Sequence, residues 1–437
     1  MIWDPATLAA LYIAALIGFS LMGFHVAAVM AVLGVLGALL TFGPSIVMNA
    51  GGLAWATSNN YLLVALPMFV LMGELLLRSG ITDRLYTALS AWVTNVPGGL
   101  LHSNILASAI FSATSGSSVA TAATIGSVAM PNMTERGYNE SLALGSVAAG
   151  GTLGILIPPS INLMIYGAIT NTSIGRLFAA GVVPGLLLTA LFMIIILIWT
   201  RLDSEAGGRP GIAVGLSERL RLLIDLVPIA IIFLVVMGSL YTGFATATES
   251  AALGTVAALA LATWRRRLTR RVLVEAFRST VRITGIVTLL IVAAFFVNFV
   301  LGMIGIPQAV AQWVESVSSG PVMTLLLLVL LYLALGCFME TLSMLITTLP
   351  IVAPIVAAQG IDPVWFGVFV VVMCELSLVT PPVGMNLYVV QGIRPPGSNI
   401  RDIIVGVLPF AAAMLGLIAL IMAFPQIVVW LPNAIYD

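Results

Sequence analysis

The sequence has no lysine: all 17 of its basic residues are arginine, and charged residues make up only 8% of its 437 positions. Charged residues usually form about a quarter of a soluble globule, so that class is excluded. Cysteine is scarce too. Cys337 and Cys374 both lie in apolar runs without metal-ligand spacing, which excludes a disulfide framework and points to packed thiols. The two histidines, His25 and His102, are far apart, and neither HExxH nor GxSxG occurs, so a membrane-embedded hydrolase has no nucleophile and base to work with. No basic residue precedes the first apolar run, which begins just after Asp4. That run therefore reads as an uncleaved first span rather than a signal peptide. The zero formal net charge selects no partner class, and no nucleic-acid or organic-cofactor partner is expected.

What is present is apolar sequence. With 60% hydrophobic residues and a mean hydropathy of +1.15, the chain reads as an all-α, polytopic membrane protein in a lipid bilayer. Residues 5–41 are apolar for longer than one span needs, and Gly18 to Gly23 is the natural turn between two crossings. Residues 43–60 read as a polar loop without arginine, and Leu62 to Leu77 as the next crossing. A short helix over 86–96 stops at Pro97-Gly98-Gly99.

The apolar stretch 104–131 is interrupted by Ser112-Ala113-Thr114-Ser115-Gly116-Ser117-Ser118 and is too short on either side to span. It reads as a re-entrant hairpin with a polar tip. Next, 142–170 is an apolar run broken by Pro158-Pro159. Two prolines remove two backbone donors and their rings clash with carbonyls one turn earlier, so the helix breaks. In lipid such a break persists only where protein or a wet cavity satisfies the freed carbonyls.

The break recurs 223 residues on, at Pro381-Pro382. The same offset carries Pro131 to Pro354 and Gly137 to Gly360; a two-residue slip carries Arg176 to Arg401, Gly181 to Gly406 and Pro184 to Pro409. Earlier, an offset of 220 carries Gly23 to Gly243 and Leu33-Gly34 to Leu253-Gly254. The chain is thus read as an internal duplication: a first repeat at 1–200, a polar cytoplasmic linker at 201–221, and a second repeat at 222–437 with a hairpin near 322–354 and a broken helix near 364–392.

Arginine placement sets the relative orientation. Seven arginines lie in 265–282, a segment expected to be cytoplasmic and to form an interfacial helix on anionic lipid. Its counterpart at 43–60 has none, so the two repeats are expected to be inverted. Inverted repeats, each with a hairpin and a broken helix, are the pattern of secondary transporters whose site lies between the repeats. Trp3, Trp55, Trp92, Trp199, Trp264, Trp313, Trp365 and Trp430 all flank apolar runs, as an interfacial belt requires, with core packing the alternative for one or two.

The order of elements, with Gly154 to Ser160, Thr380 to Asn386 and Thr246-Ala247-Thr248-Glu249-Ser250, resembles the large membrane subunit of tripartite ATP-independent periplasmic (TRAP) transporters over essentially the whole chain. Ala247 stands where that family usually has proline. The resemblance implies an elevator-type carrier in the bacterial inner membrane. It also implies sodium-coupled import of an organic acid (a C4-dicarboxylate, a sialic acid or another sugar acid), a periplasmic binding protein that delivers it, and a small four-helix membrane subunit.

Sodium is a hard cation that suits carbonyl and hydroxyl oxygens. One cage is expected from Ser112, Ser115, Gly154, Ile157 and Pro159; the other from Gly336, Ser377, Thr380 and either Pro382 or Val383. The competing reading of Ser112 and Ser115 is a hydroxyl bonded back to the preceding helical turn. Substrate contacts are expected from Ser117, Ser118, Asn162, Thr341, Ser343 and Asn386, helped by half-helix N-termini that favour a carboxylate. Moving one charge across the membrane costs about 2.3 kcal/mol per 100 mV, so a monoanion needs at least two sodium ions for net inward charge. Glu249, Glu340 and Glu375 lie in or beside apolar runs. Glu340 and Glu375 support the alternative, a proton- or cation-coupled antiporter of similar architecture, and Glu249 reads as structural.

Overall fold

The computed structural model describes residues 5–209, 215–317, 320–381, 383–394 and 399–437, and among these every regular element is helical. Trp3 and Pro382 lie outside the described residues. The first half comprises α1 (Pro5–Leu21), α2 (Val26–Phe42), α3 (Pro44–Ser58), α4 (Ala65–Arg78), α5 (Ile81–Val93), α6 (Gly99–Ser115), α7 (Ser118–Glu135), α8 (Glu140–Leu156), α9 (Ile161–Thr170) and α10 (Ile174–Leu202). After α11 (Leu216–Leu222), the second half comprises α12 (Val227–Tyr241), α13 (Ala247–Trp264), α14 (Arg270–Ile304), α15 (Ile306–Val317), α16 (Pro321–Leu335), α17 (Thr341–Ala358), α18 (Pro363–Val379), α19 (Met385–Ile393), α20 (Ile400–Ala423) and α21 (Gln426–Tyr436). Among the described residues, six helical units are long and apolar enough to cross a membrane, or seven if the pair bent by 47° around residue 226 counts as one span.

The halves repeat each other element by element. A hairpin (α6 and α7, or α16 and α17) leads into an interrupted helix (α8 and α9, or α18 and α19) and then a long helix (α10 or α20). Packing is exchanged between halves: α7 lies on α19 and α17 lies on α9. At the centre stand α8 and α18, in which every residue from Leu142 to Leu156 and from Val364 to Val379 is buried. Without a hydrophobic drive between helices in lipid, close approach depends on small residues. Gly145 of α8 meets Gly406 of α20 so tightly that a Cβ on Gly145 would sit 2.1 Å from the Gly406 carbonyl oxygen. Gly181 of α10 is set against the Leu156 carbonyl in the same way, at 2.7 Å.

Three expectations are corrected. Residues 44–58 are helical rather than a loop: Pro44 occupies the first turn, where its missing donor costs nothing, and the left-handed Gly43 precedes it. The arginine segment is no separate interfacial helix, because Arg270 to Arg282 are the first turns of a continuous 35-residue α14. Trp365 does not belong to an exposed belt: it is buried, stacks on Phe369 at 5.2 Å and donates from Nε1 to the Ile421 carbonyl at 3.2 Å. Trp55, Trp264, Trp313 and Trp430 are exposed.

Candidate ion and substrate site

The helix breaks have a local cause that is the same in both halves. A residue before proline is driven out of the helical region. Ile157, before Pro158, is extended (φ −84°, ψ 123°), and Thr380, before Pro381, takes nearly the same conformation (φ −87°, ψ 125°). After the first break Ser160 restarts the chain as the cap of α9, accepting from the Leu163 amide at 3.2 Å. In the second, Gly384 precedes α19 and packs on the Leu378 carbonyl, 2.3 Å from where its Cβ would be.

Each break is met by a hairpin tip. In the first half the turn is only Gly116 and Ser117, with Gly116 in the left-handed region (φ 58°) that glycine tolerates best. A Cβ on Gly116 would lie 3.3 Å from the Pro159 carbonyl oxygen, and one on Gly154 would lie 2.7 Å from both the Ser117 carbonyl oxygen and Thr121 Oγ1. The structure therefore brings Gly154 and Pro159 to the hairpin tip. Ser112 is fully buried and donates to the Ser108 and Ala109 carbonyls at 2.7 and 2.8 Å, the back-bonded arrangement. Ser115 instead shares a hydrogen bond with Thr121 Oγ1 at 2.8 Å. Thr121 was missed by sequence reasoning, although it sits one helical turn beyond the Ser117 cap and donates to its carbonyl at 2.8 Å.

In the second half Gly336 abuts Ser377, which is buried and donates to the Cys374 carbonyl at 2.6 Å. Thr380 donates to the Leu376 carbonyl at 2.6 Å, while the Val383 side chain is 36% exposed. Both hydroxyls are donating, so their oxygen lone pairs remain available to an ion.

Between the halves lies a cavity of about 310 Å³. Its lining follows the 223-residue offset: Ser117 with Glu340, Ser118 with Thr341, Ile155 with Leu378 and Asn162 with Met385 all face it. Ser117 and Glu340 are both the residue before the second hairpin arm. Four expected substrate residues, Ser117, Ser118, Asn162 and Thr341, thus share one cavity. Asn162 is fully buried and, among the described residues, neither polar atom of its amide has a hydrogen-bond partner. Ser343 and Asn386 are not among the lining: Ser343 donates to Glu340 Oε1 at 3.4 Å, and the Asn386 amide donates to the Ala148 carbonyl at 3.4 Å. The register explains Asn386. The residue equivalent to Asn162 is Met385, and one step along a helix turns the next side chain by about 100°.

The lining includes no arginine but two carboxylates, Glu74 and Glu340. Glu74 is bound by Arg78 at 2.9 Å and Ser279 at 2.8 Å, and Arg78 also holds Glu275 at 2.8 Å. Among the described residues, the Glu340 carboxylate is hydrogen-bonded by the Ser343 hydroxyl alone. Away from the cavity, Glu249 accepts from the Thr246 amide at 2.8 Å while Thr246 Oγ1 accepts from the Glu249 amide at 3.4 Å. This closed capping box gives Glu249 the structural role expected of it, at the N-terminus of α13.

A sequence model of the tripartite ATP-independent periplasmic transporter DctM component matches residues 10–427. The chain belongs to this family. The C4-dicarboxylate TRAP transporter large permease protein DctM of Pseudomonas aeruginosa is 37% identical over 411 residues, covering 92% of this chain and 93% of that one. The sialic acid TRAP transporter large permease protein SiaM of Vibrio cholerae is 34% identical over 395 residues, 89% of this chain and 91% of its own. The fold is shared with the YdaH transporter of Alcanivorax borkumensis, with a TM-score of 0.62 at 16% identity over 90% of each chain. This permease is therefore a multi-pass membrane transporter subunit and not an enzyme.

Proposed function

We propose that the permease imports an organic acid together with sodium across the bacterial inner membrane. The observation that carries this reading is the cavity whose lining is drawn from equivalent positions of both halves, with an oxygen-rich helix break beside each hairpin tip. Sodium is assigned to Ser112, Ser115, Gly154, Ile157 and Pro159 on one side, with Thr121 added from the geometry, and to Gly336, Ser377, Thr380 and Val383 on the other. The substrate is a carboxylate, such as a C4-dicarboxylate, a sialic acid or another sugar acid, classes that the names of the relatives support. It is held by Ser117, Ser118, Asn162 and Thr341; Ser343 and Asn386 support that shell from behind. A volume of about 310 Å³ is at the lower end of ordinary small-molecule sites.

Because the cavity lining has no arginine, the coupling ions and the N-terminus of α7 supply the positive charge that the acid needs. The moving body is formed by the hairpins and interrupted helices (α6 to α9 and α16 to α19), and the two repeats, 1–200 and 222–437, are inverted. A periplasmic binding protein delivers the acid, and a small membrane subunit holds the static helices. Glu340 in the cavity favours a second reading, antiport driven by protons or another cation. Uptake into liposomes by the permease with both partners decides between them: sodium-driven accumulation supports import, and sodium-independent, proton-driven exchange supports antiport.

A further inference from the structure

α14 is longer than the bilayer it crosses. At about 1.5 Å per residue its 35 residues run for about 52 Å, against a hydrocarbon layer of about 30 Å. Residues 283–304 contain no charged side chain and by themselves span about 33 Å. Arg282 therefore marks the edge of the hydrocarbon, and Arg278, one turn out, stands about 6 Å beyond it at the depth of the lipid headgroups. Arg278, Arg282, Ile286 and Leu289 follow one another at helical spacing along a single stripe, and all four are exposed. The helices that pack on α14 take its other faces: Glu275 is bound to Arg78 of α4 and Ser279 to Glu74, and Ile283 lines the cavity.

The charge on this stripe is not balanced from within. Of the seven arginines in 265–282, Arg265 pairs with Asp225 at 3.4 Å and Arg271 with Glu275 at 2.8 Å, and Glu275, the only acid in that segment, is already shared with Arg78. Arg266, Arg267, Arg270, Arg278 and Arg282 are exposed and belong to no ion pair among the described residues. Helix electrostatics run against them as well. Arg270 and Arg271 occupy the first turn of α14, where the macrodipole favours negative charge, and Arg278 and Arg282 are like charges four residues apart. Each placement is unfavourable unless an anion outside the helix offsets it. A cluster of basic residues just cytoplasmic of a spanning helix attracts anionic lipid for this reason.

We propose that Arg278 and Arg282 hold the headgroup of an anionic phospholipid of the cytoplasmic leaflet, its phosphate between the two guanidinium groups and one acyl chain along Ile286 and Leu289, while Arg266, Arg267 and Arg270 strengthen the attraction from farther out. A phospholipid supplies an anion and hydrocarbon at these two depths, whereas a protein partner would have to bring carboxylates to the edge of the hydrocarbon, where they are costly. The lipid sits on the back of a helix whose front, through Ile283, Ser279 and Glu275, faces the cavity and α4. It thereby fixes the depth of that cavity wall in the bilayer. The inference does not depend on which ion or acid is carried.

The test is equilibrium binding to the purified permease in detergent, read by thermophoresis, of phosphatidylglycerol, zwitterionic phosphatidylcholine and inorganic phosphate, beside thermal midpoints of the same samples. Wild type should bind phosphatidylglycerol in preference to phosphatidylcholine, be stabilised by it, and lose the preference as choline chloride is raised. The double variant R278Q/R282Q, at exposed positions, should melt as wild type does without lipid and bind phosphatidylglycerol roughly thirtyfold more weakly, the surface attraction of two arginines. R278K/R282K should retain most of the affinity. Should the glutamine pair not fold, R278Q and R282Q carry the test singly, each weakening the lipid roughly fivefold. Wild-type affinity in the glutamine variants overturns the proposal. So does inorganic phosphate that stabilises as well as the lipid, which would mean a plain anion site. A double variant that loses the small membrane subunit on co-purification while its lipid titration stays wild type would give the face to that subunit and overturn the proposal too.

Discussion

Gly336 stands against Ser377 so closely that a Cβ on the glycine would lie 2.1 Å from the Cβ of the serine. The second hairpin therefore meets the second helix break backbone to side chain, with no room for another methyl group. Gly336→Ala is expected to push them apart, at about 1–3 kcal/mol for an overpacked contact. The thermal midpoint should fall and sodium-driven uptake should be lost, whereas Gly416→Ala, at a glycine with open space around it, should change neither.

Asn162 and Asn386 are expected to separate. Asn162→Ala removes an unpartnered amide from the cavity and should raise KM by roughly tenfold with little change in stability. Asn386→Ala should leave KM nearly unchanged and lower the thermal midpoint, since its amide is spent on the Ala148 carbonyl. Initial uptake rates across a substrate series, alongside melting curves, check both.

The contact of α8 with α20 depends on two glycines. A Cβ on Gly406 would fall 1.8 Å from the Ser141 carbonyl oxygen, which rotamer adjustment cannot relieve because the obstruction is backbone. Gly406→Ala is expected to abolish recovery of monodisperse protein on size exclusion; normal recovery would show that this crossing is not required.

Trp365→Ala should cost about 3–5 kcal/mol, as for other buried aromatics, because it empties a stacked site and orphans the Ile421 carbonyl. Trp55→Ala, at a position 74% exposed to the surroundings of the protein, should stay within about 0.5 kcal/mol. Denaturant or thermal unfolding of both variants in detergent makes the comparison.

Proline and glycine made much of this fold readable from sequence. Pro158 and Pro381 act through their effect on the preceding residue, so the two interrupted helices and the offset between them were visible without coordinates. The hairpin tips were legible because polar residues interrupt apolar runs of fixed length. Thr121 was hidden, because one threonine in a helix looks like any other until the chain folds back and brings it to Ser115. Asn386 misled through its likeness to Asn162: composition matched, while the face of the helix was decided by a single residue of register. The 426–436 helix was also missed, since a short amphipathic segment after a span carries no period distinct from the span itself. It is held by tertiary bonds, Arg176 to Asp437 at 2.8 Å among them.

The most direct test of the account is uptake of a labelled organic acid by the permease, reconstituted with its membrane and periplasmic partners, under an inward sodium gradient with the membrane potential clamped. Coupled entry of at least two sodium ions per monoanion predicts that uptake is sodium-dependent and is accelerated by an inside-negative potential. Accumulation that proceeds at the same rate without sodium, or that slows when the interior is made negative, would contradict it.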